Sequence, residues 1–258
     1  MSFDADLNAC AALVERADPL RFRAAMAAPV AARRVLFPLY AFNVEVARAP
    51  WVTQEALIAE MRLQWWRDAL EEIRAGGFVR RHEVVTSLAA ILDAEGATLL
   101  DDLIVARYWD INRDPFEDAA AFDDYIKHTS GHLMLVAARA LGQADKDTVL
   151  DVGYAHGLSN LLRAIPALEE AGRVPLVDGR PDAVRSLAET GLAGLKEARK
   201  ARAKVSKEAR PALLPAWKTG AILRRAIASP MRVSEGLLEI SPIASRLQLI
   251  ARAGSGWW

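Results

Sequence analysis

The chain has 258 residues, of which 52% are hydrophobic, and its 33 lysines and arginines balance 33 aspartates and glutamates. This length and apolar content suffice for one large core or two small ones. A net charge of zero provides no overall field for a polyanion, so no nucleic acid partner is expected. Cys10 is the only cysteine, which rules out an intrachain disulfide and a thiolate zinc cluster and is typical of a reducing compartment.

The sequence shows no segment typical of secretion or membrane insertion. Asp4 and Asp6 stand near the start without a following apolar run, unlike a secretory signal. No window reaches the ~18–20 uninterrupted apolar residues that a membrane-spanning helix needs. We therefore expect a cytoplasmic, soluble protein. Attachment to a membrane surface remains open, because it needs only an amphipathic face.

Apolar residues recur every three or four positions along nearly the whole chain, which predicts helices throughout. The first clear face spans residues 35–46, and Pro50 is expected to end that helix. The next helix is predicted at residues 53–75, with Thr53 as its cap and Gly76 after its end. Further helices are predicted at about residues 82–94, 97–110, 119–141, 146–171, 182–207, 211–228 and 242–252.

Glycines and prolines interrupt the helical pattern, and the one long breaker-rich loop is predicted at residues 172–181. The acidic set Asp114, Glu117 and Asp118 is predicted to cap the helix that follows it, with Pro115 in its first turn. No alternating strand or internal repeat is visible. Many helices joined by short loops indicate an all-α, single-domain helical bundle that covers residues 1–258.

Several sequence blocks resemble, in order, those of the squalene/phytoene synthase family. They are Phe37-Pro-Leu-Tyr-Ala-Phe-Asn43, Arg62-Leu-Gln-Trp-Trp-Arg-Asp-Ala-Leu70, Tyr125 through Gly131, Leu141-Gly142, and Gly157 to Pro166 with Gly172-Arg-Val-Pro-Leu176. The first and last blocks resemble the family's two metal-binding helices. The resemblance covers roughly residues 20–178 and implies an isoprenoid synthase fold with a central cavity.

Active members of this family condense two prenyl diphosphates head to head, and aspartates one turn apart on two facing helices hold magnesium on the diphosphate. Carboxylates at four-residue spacing suit this task because they point hard oxygen ligands at one spot, and the metal stabilises the departing diphosphate. Here Glu45 is the only acid between Asp18 and Glu55, and the positions that resemble the second aspartate pair hold Ala164 and Leu168. We therefore predict no catalytic residue, no metal ligand and no cofactor.

Three further motifs resemble a branch of the superfamily that lacks these aspartates. They are Leu162-Arg163-Ala164-x-Pro166, Leu63-Gln-Trp-Trp-Arg67 and His128-Thr-Ser130. The branch includes mitochondrial assembly factors of respiratory complex I and their bacterial relatives. The resemblance thus implies a non-enzymatic assembly or accessory role, a protein partner such as a respiratory complex subunit, and a place at the inner face of the inner membrane.

Two alternatives remain open. One is an active head-to-head prenyltransferase, of the phytoene or squalene synthase type, with displaced ligands for magnesium. The other is a non-catalytic carrier that keeps the cavity for an isoprenoid or lipid ligand. Acidic side chains that converge in the cavity would favour the first, and a large apolar pocket with a few polar groups at its mouth would favour the second.

The candidate ligand-binding residues centre on the cavity that the resemblance implies. Asn160 and Arg163 lie three apart on one helix face and are expected to point into it, together with Tyr40 and Asn43. An arginine inside an apolar bundle needs a partner or an anion. Glu45 is predicted to be that partner, and retained binding of an anionic ligand is the alternative.

Arg67 and His128 complete the candidate set. Arg67 is predicted either to bind an anion or to pair with Glu71, four residues further along the helix. His128 can titrate near neutral pH, although a lone histidine is more often packed or solvated. Of the adjacent Trp65 and Trp66, one is expected to pack inward and the other to rim a groove, since neighbours on a helix point about 100° apart.

Two basic stretches leave a further choice open. One contains Arg33 and Arg34, and the other, at residues 222–232, contains Arg224, Arg225 and Arg232. The second is predicted as a solvated face, with peripheral contact to an anionic membrane as the alternative. The terminal Trp257 and Trp258 are expected to dock against another surface, because two tryptophans are unusual on a free tail.

Overall fold

A computed structural model describes residues 3–112, 114–256 and 258, and within these ranges the chain is helical with no β-strand. The α-helices are α1 (Phe3–Ala17), α2 (Pro19–Ala27), α3 (Val30–Arg48), α4 (Ala56–Ala75), α5 (Glu83–Ala89), α6 (Ala94–Arg107), α7 (Ala119–Ile126), α8 (Leu133–Leu141), α9 (Lys146–Glu170), α10 (Pro181–Lys200), α11 (Thr219–Ala228), α12 (Met231–Ser234) and α13 (Pro242–Ser255). Shorter 3₁₀ segments span Ala49–Trp51, Tyr108–Asp110, Arg202–Lys204 and Arg210–Lys218, and a π-helical segment spans Lys127–His132.

Helix α9 is the centre of the bundle. It packs against α7, α8, α10, α11, α12, the π-helical segment and the 3₁₀ segment Arg210–Lys218. Helix α3 lies across the core and buries most of its residues, including Leu36, Leu39 and Phe42. One connected set of buried apolar side chains runs from α1 to α13, which confirms the all-α, single-domain architecture.

Glycines set the spacing between α9 and the π-helical segment. A Cβ atom added to Gly153 would lie 2.6 Å from the Cα atom of Gly131, and one added to Gly157 would lie 2.6 Å from the Cβ atom of Ser130. No side chain fits at such distances, so the two elements approach backbone to backbone only because these positions lack a Cβ atom.

Several predicted boundaries are confirmed. Helix α3 ends at Arg48 and gives way to a 3₁₀ turn that contains Pro50, which cannot donate a further helical hydrogen bond. Helix α4 ends at Gly76, whose φ of 68° is the left-handed conformation that glycine adopts without strain. The loop at residues 172–181 is also present, and α10 begins at Pro181.

Of the two predicted caps, the one at Thr53 is wrong and the one in the acidic set at residues 114–118 is confirmed. Helix α4 begins only at Ala56, because the hydroxyl of Thr53 instead accepts a hydrogen bond from the backbone of Glu55 in the preceding turn. Asp118 is the member of the acidic set that caps α7, and its carboxylate accepts a hydrogen bond from the amide of Ala121 at 2.8 Å.

Two predicted helices are subdivided for identifiable reasons. The helix expected at residues 119–141 contains the π-helical turn at Lys127–His132, which periodicity alone does not reveal. The helix expected at residues 211–228 starts as a 3₁₀ segment, because Pro211 and Pro215 remove two backbone donors. Over the described ranges, none of the helices combines the length and the apolar character that crossing a bilayer requires.

Candidate functional site

A cavity of about 510 Å³ lies between α3 and α9 and is open to solvent on one side. It is lined by Ala17, Asp18, Arg21, Asn43, Val44, Ala47, Arg48, Trp51, Arg107, Trp109, Asp110, Tyr125, Ile126, Thr129, Ser130, Gly157, Asn160, Leu161, Ala164 and Leu168. The cavity therefore lies between the two helices that resemble the metal-binding helices of the family.

Asn43 and Asn160 are the two predicted site residues that line this cavity. Asn43 is 5% exposed, and its Oδ1 atom is buried without a hydrogen-bond partner. A buried amide oxygen without a partner is costly, so it marks a position where a donor from a bound molecule would be accommodated. Asn160 is already engaged, since its Oδ1 atom accepts a hydrogen bond from Nη1 of Arg163 at 3.1 Å.

The donor set of the cavity does not fit the magnesium ions that the family resemblance implies. One helical turn from Asn43 stands Ala47, and the facing positions on α9 are Ala164 and Leu168, all of which line the cavity without offering an oxygen ligand. Across the residues that the structure describes, no group of three or more histidine, cysteine, aspartate or glutamate side chains is placed to hold a metal ion.

The two acids that do line the cavity are each bound to an arginine. Asp18 caps α2 through the backbone of Arg21 at 2.9 Å and also accepts from its guanidinium at 2.8 Å. Asp110 accepts hydrogen bonds from Arg107 at 2.9 Å and from the hydroxyl of Tyr125 at 2.9 Å. Burial raises the pKa of Tyr125 further above its usual range, and Arg107 opposes this rise only in part. The side chains of Arg107, Asp110 and Tyr125 are hydrogen-bonded to one another. We call them the polar wall of the cavity, and none of them is a free ligand.

An aromatic cluster supports this wall from behind. The ring of Trp109 stacks on Phe116 with their centroids 4.0 Å apart, and Tyr125 meets both rings edge-on. Such packing fixes the orientation of the Tyr125 ring, and thereby the direction of its hydroxyl towards Asp110.

Arg173, in the loop after α9, bridges two segments that contribute residues to the cavity lining. Its guanidinium donates to the backbone oxygens of Asp110, at 2.5 Å, and of Asn112. The same group lies 5.2 Å from the ring centroid of Trp51, which lines the cavity. The loop is thus tied to the segments at residues 49–51 and 108–112, which contribute Trp51, Trp109 and Asp110 to the cavity.

A second, smaller cavity of about 240 Å³ adjoins the first, and both are lined by Asp18, Arg21 and Asn160. His156 lies at its inner end, 7% exposed, and its Nε2 atom accepts a hydrogen bond from the amide of Asn160 at 3.1 Å. Burial, reinforced by the charge of Arg21, lowers the pKa of His156 to about 3. The histidine is therefore neutral at physiological pH.

Arg163 lines this second cavity, and its predicted partner is wrong. It pairs with Glu239, whereas Glu45 pairs with Arg48 at 3.1 Å within α3. Glu239 also accepts a hydrogen bond from the ammonium of Lys218 at 2.9 Å. Lys218 is 6% exposed, so the glutamate compensates two cations, one of them deeply buried.

Arg67 lies outside both cavities, and its predicted pairing with Glu71 is also wrong. Its guanidinium binds Asp101 on α6 through two hydrogen bonds, of 2.7 and 3.1 Å, while Glu71 pairs with Arg74. Two hydrogen bonds to one carboxylate fix the orientation of the guanidinium and make the pair stronger. Residue spacing along one helix cannot reveal such a contact between two helices.

Tyr40 and His128 are likewise not brought to the cavity lining. Tyr40 is buried, its hydroxyl has no hydrogen-bond partner, and burial raises its pKa. The ring of His128 instead contacts that of His132, with centroids 4.7 Å apart. Trp66 is buried and Trp65 is 36% exposed, as predicted for that pair.

Most of the polar wall formed by Arg107, Asp110 and Tyr125 could not be predicted from sequence patterns. Arg107 and Asp110 lie in no recognised block, and Lys218 follows a proline-containing segment. The available signal was the Asp18-Pro19 helix start, which places a carboxylate and Arg21 at the cavity.

At the other end of the chain Trp258 is buried, as expected, and its backbone oxygen accepts a hydrogen bond from Nε of Arg199 at 2.6 Å. Trp257 lies outside the described residues.

The fold matches those of solved isoprenoid-pathway enzymes. A dehydrosqualene synthase crystallised with a ligand superposes with a TM-score of 0.80, at 15% identity, over 98% of this chain and 96% of that one. A squalene synthase from Alicyclobacillus acidocaldarius superposes with a TM-score of 0.70, at 17% identity, over 87% of this chain and 94% of that one. At such identities the likeness establishes the fold alone.

The sequence establishes the family. The squalene/phytoene synthase family model matches residues 14–177, more than half of the chain. The chain therefore belongs to the squalene/phytoene synthase family.

Similar curated proteins are named as assembly factors rather than as synthases. A protein of Drosophila melanogaster described as a homologue of NADH dehydrogenase (ubiquinone) complex I assembly factor 6 is 28% identical, over 84% of this chain and 74% of its own length. The human complex I assembly factor 6 is 24% identical, over 61% of this chain and 48% of its own length. The chain thus spans about three quarters of the fly relative and about half of the human one.

Proposed function

We propose that this protein is an accessory factor in the assembly of respiratory complex I and acts by binding rather than by metal-dependent prenyl transfer. One observation carries the proposal: Asn43, Ala47, Ala164 and Leu168 face one cavity from two helices and supply no carboxylate. The relatives named as complex I assembly factors give the direction of the role. The protein is a pseudoenzyme in this proposal and needs no cofactor.

The partner is a protein, a subunit or assembly intermediate of the respiratory complex. The protein works from the cytoplasm at the inner face of the inner membrane, as a peripheral component. An exposed apolar stripe on α4 is one surface that such a partner would fit, with Leu57 67% and Met61 64% exposed. Exposed apolar side chains in a row along one helix mark a surface that associates.

Deletion of the gene in its own host, followed by measurement of assembled complex I, tests this role. We expect less assembled complex in the deletion strain and recovery with the wild-type gene. Unchanged complex I levels would contradict the proposal.

The absence of metal-dependent chemistry is tested separately with purified protein. Incubation with magnesium and farnesyl or geranylgeranyl diphosphate is expected to yield no head-to-head product. Formation of such a product would instead support the active prenyltransferase, with ligands that the cavity does not supply in its present form.

A second candidate, a non-catalytic isoprenoid or lipid carrier, is favoured by one observation. The cavity is open, and the buried Oδ1 atom of Asn43 has no partner inside the protein. Organic extraction of the purified protein followed by mass spectrometry would identify a carried molecule. Substitution of Ala164 by Phe fills the cavity and serves as the control, since it should reduce the extracted amount.

A further inference from the structure

The junction of α2 and α3 forms an apolar tip between arginines. Residues 24–32 read Ala-Ala-Met-Ala-Ala-Pro-Val-Ala-Ala, with Arg23 before them and Arg33-Arg34 after them. Met26 is 44% and Val30 is 72% exposed. Nη2 of Arg33 donates to the backbone oxygen of Met26 at 2.8 Å, which holds the tip in a tight turn.

Helix α13 is apolar on the side that faces water. Ile243, Leu247 and Ile250 recur at helical spacing and are 72%, 62% and 68% exposed. Its inner side is also apolar, since Leu249 is buried. A surface helix normally turns polar residues outward, so the outer side of α13 has the composition of a covered face.

The tip and α13 are carried by elements that pack against one another. Helix α13 packs against α2 and against the 3₁₀ segment Arg210–Lys218, and that segment in turn packs against α2. We call the exposed set Met26, Val30, Ile243, Leu247 and Ile250 the apolar face.

The two stretches of chain that form the apolar face carry only basic charged residues, and the exposed Asp4 of α1 pairs with Arg34 beside the tip at 3.5 Å. No aspartate or glutamate occurs in residues 19–44 or in residues 240–258. The acids that border these stretches, Asp18 and Glu239, are bound to cations. Arg23 and Arg246 are exposed within the stretches.

This combination selects one kind of occupant. Apolar side chains surrounded by arginines match a bilayer surface, where the former enter the acyl region and the latter meet phosphate groups. A second copy of the same face would set arginines against arginines. The stripe on α4 provides a contrast, because the acids Glu55 and Asp68 are exposed beside it, which disfavours an anionic surface.

From these observations we infer that the apolar face binds an anionic lipid membrane. The tip at Met26 and Val30 and the outer side of α13 insert between lipids, and Arg23 and Arg246 contact phosphate groups. The inference goes beyond the proposed function, because it names a lipid surface and the residues that bind it. The inference can be tested independently of that function, because the binding of purified protein to vesicles does not involve complex I.

Sedimentation of the purified protein with vesicles tests the inference. Wild type is expected to bind vesicles of phosphatidylcholine mixed with phosphatidylglycerol, to bind pure phosphatidylcholine less, and to be released by salt. The double variant Leu247→Asp/Ile250→Asp should lose about tenfold or more in affinity. The matched control Leu57→Asp/Met61→Asp replaces equally exposed apolar residues on α4 and should bind as wild type does.

The variant Arg23→Gln/Arg246→Gln provides a second measurement that leaves the apolar side chains intact. It should weaken binding to the mixed vesicles about tenfold and leave binding to pure phosphatidylcholine unchanged. Circular dichroism and thermal unfolding establish that each variant is folded. Absence of wild-type binding, unimpaired binding by Leu247→Asp/Ile250→Asp, or an equal loss in the α4 control would each overturn the inference.

Discussion

His156 is held neutral by its burial, by the charge of Arg21 and by the contact of its Nε2 atom. Its Nε2 atom accepts from the amide of Asn160, and its Nδ1 atom lies 3.4 Å from the hydroxyl oxygen of Thr219, which fits a tautomer with the proton on Nδ1. Protonation of Nε2 would face a donor and would bring a charge next to Arg21 in a buried site. The folded state therefore opposes the charged form.

This opposition predicts that stability falls with acid. The folded pKa of His156 is about 3, below the usual 6.5, so the unfolded chain takes up the proton first and stability decreases as the pH drops below 6.5. Between pH 7 and pH 5 the loss amounts to about 2 kcal/mol. Urea unfolding should show this slope reduced in His156→Gln and retained in the control His128→Gln, whose histidine is partly exposed. Equal slopes in all three proteins would contradict the assignment.

Two arginine–aspartate pairs of different burial give a matched comparison. The side chains of Arg107 and Asp110 are 18% and 5% exposed, whereas those of Arg67 and Asp101 are 35% and 33% exposed. Asp110→Asn leaves a buried cation without its carboxylate and should cost about 3 kcal/mol. Asp101→Asn should cost less than about 1 kcal/mol, because solvent screens the remaining charge. Chemical denaturation of both variants measures the difference, and similar losses would show that burial does not decide it.

At the residue scale, the sequence predicts contacts within a helix better than contacts between helices. The cavity positions of Asn43 and Asn160 followed from helical spacing and the family resemblance. The partner of Arg163 did not, because Glu239 is 76 residues away and comes close only through the packing of α10, α11 and α12 against α9. Glu45 was the plausible partner in sequence, but its own helix provides Arg48 three residues on.

Helix α9 depends on the glycines that face the π-helical segment. A Cβ atom at Gly157 would lie 2.6 Å from the Cβ atom of Ser130 and 2.9 Å from Cγ2 of Ile126. The segments on both sides are buried, so neither can move without disturbing the core. This contact shapes one wall of the cavity, because Gly157, Ser130 and Ile126 all line it.

Substitution of Gly157 by Ala should therefore destabilise the protein by about 2 kcal/mol, the usual cost of overpacking. Gly194, in α10, has no atom within 4 Å of an added Cβ atom, so Gly194→Ala should stabilise by about 0.5–1 kcal/mol through helix propensity alone. Thermal unfolding of the two variants compares them directly. The same sign of change in both would refute the steric argument.

The elements themselves were largely predictable, because amphipathic periodicity and breaker residues are local properties. The ends of α3 and α4 at Pro50 and Gly76 illustrate this. The π-helical turn inside residues 119–141 was not predictable, since its extra residue per turn is stabilised by the packing of Gly131 against Gly153. Tertiary contact decides such a local irregularity.

For the whole molecule, the framework of the family is retained while the cavity lining differs. The positions Asn43 and Ala47 on α3, and Ala164 and Leu168 on α9, are each one turn apart and line a common space. If the frame is intact, restoring carboxylates there should restore metal affinity.

The quadruple variant Asn43→Asp/Ala47→Asp/Ala164→Asp/Leu168→Asp is therefore expected to gain several degrees in Tm on addition of magnesium or manganese, since a ligand that binds only the folded state stabilises it. Wild type and the α3 double variant Asn43→Asp/Ala47→Asp serve as controls and should show little or no gain. An equal response from wild type would indicate a metal site elsewhere in the protein.

The contacts of Arg173 are expected to affect how long a molecule stays in the cavity rather than how tightly it binds. Its side chain fastens the loop at residues 172–181 to the backbone of Asp110 and Asn112 and lies against Trp51, so the cavity residues Trp51 and Asp110 move apart only when these contacts break. None of these contacts reaches the floor of the cavity at Asn43. Loss of this one guanidinium would thus speed entry and exit of any occupant to a similar degree, and the dwell time of that occupant would shorten while its equilibrium occupancy stayed nearly constant.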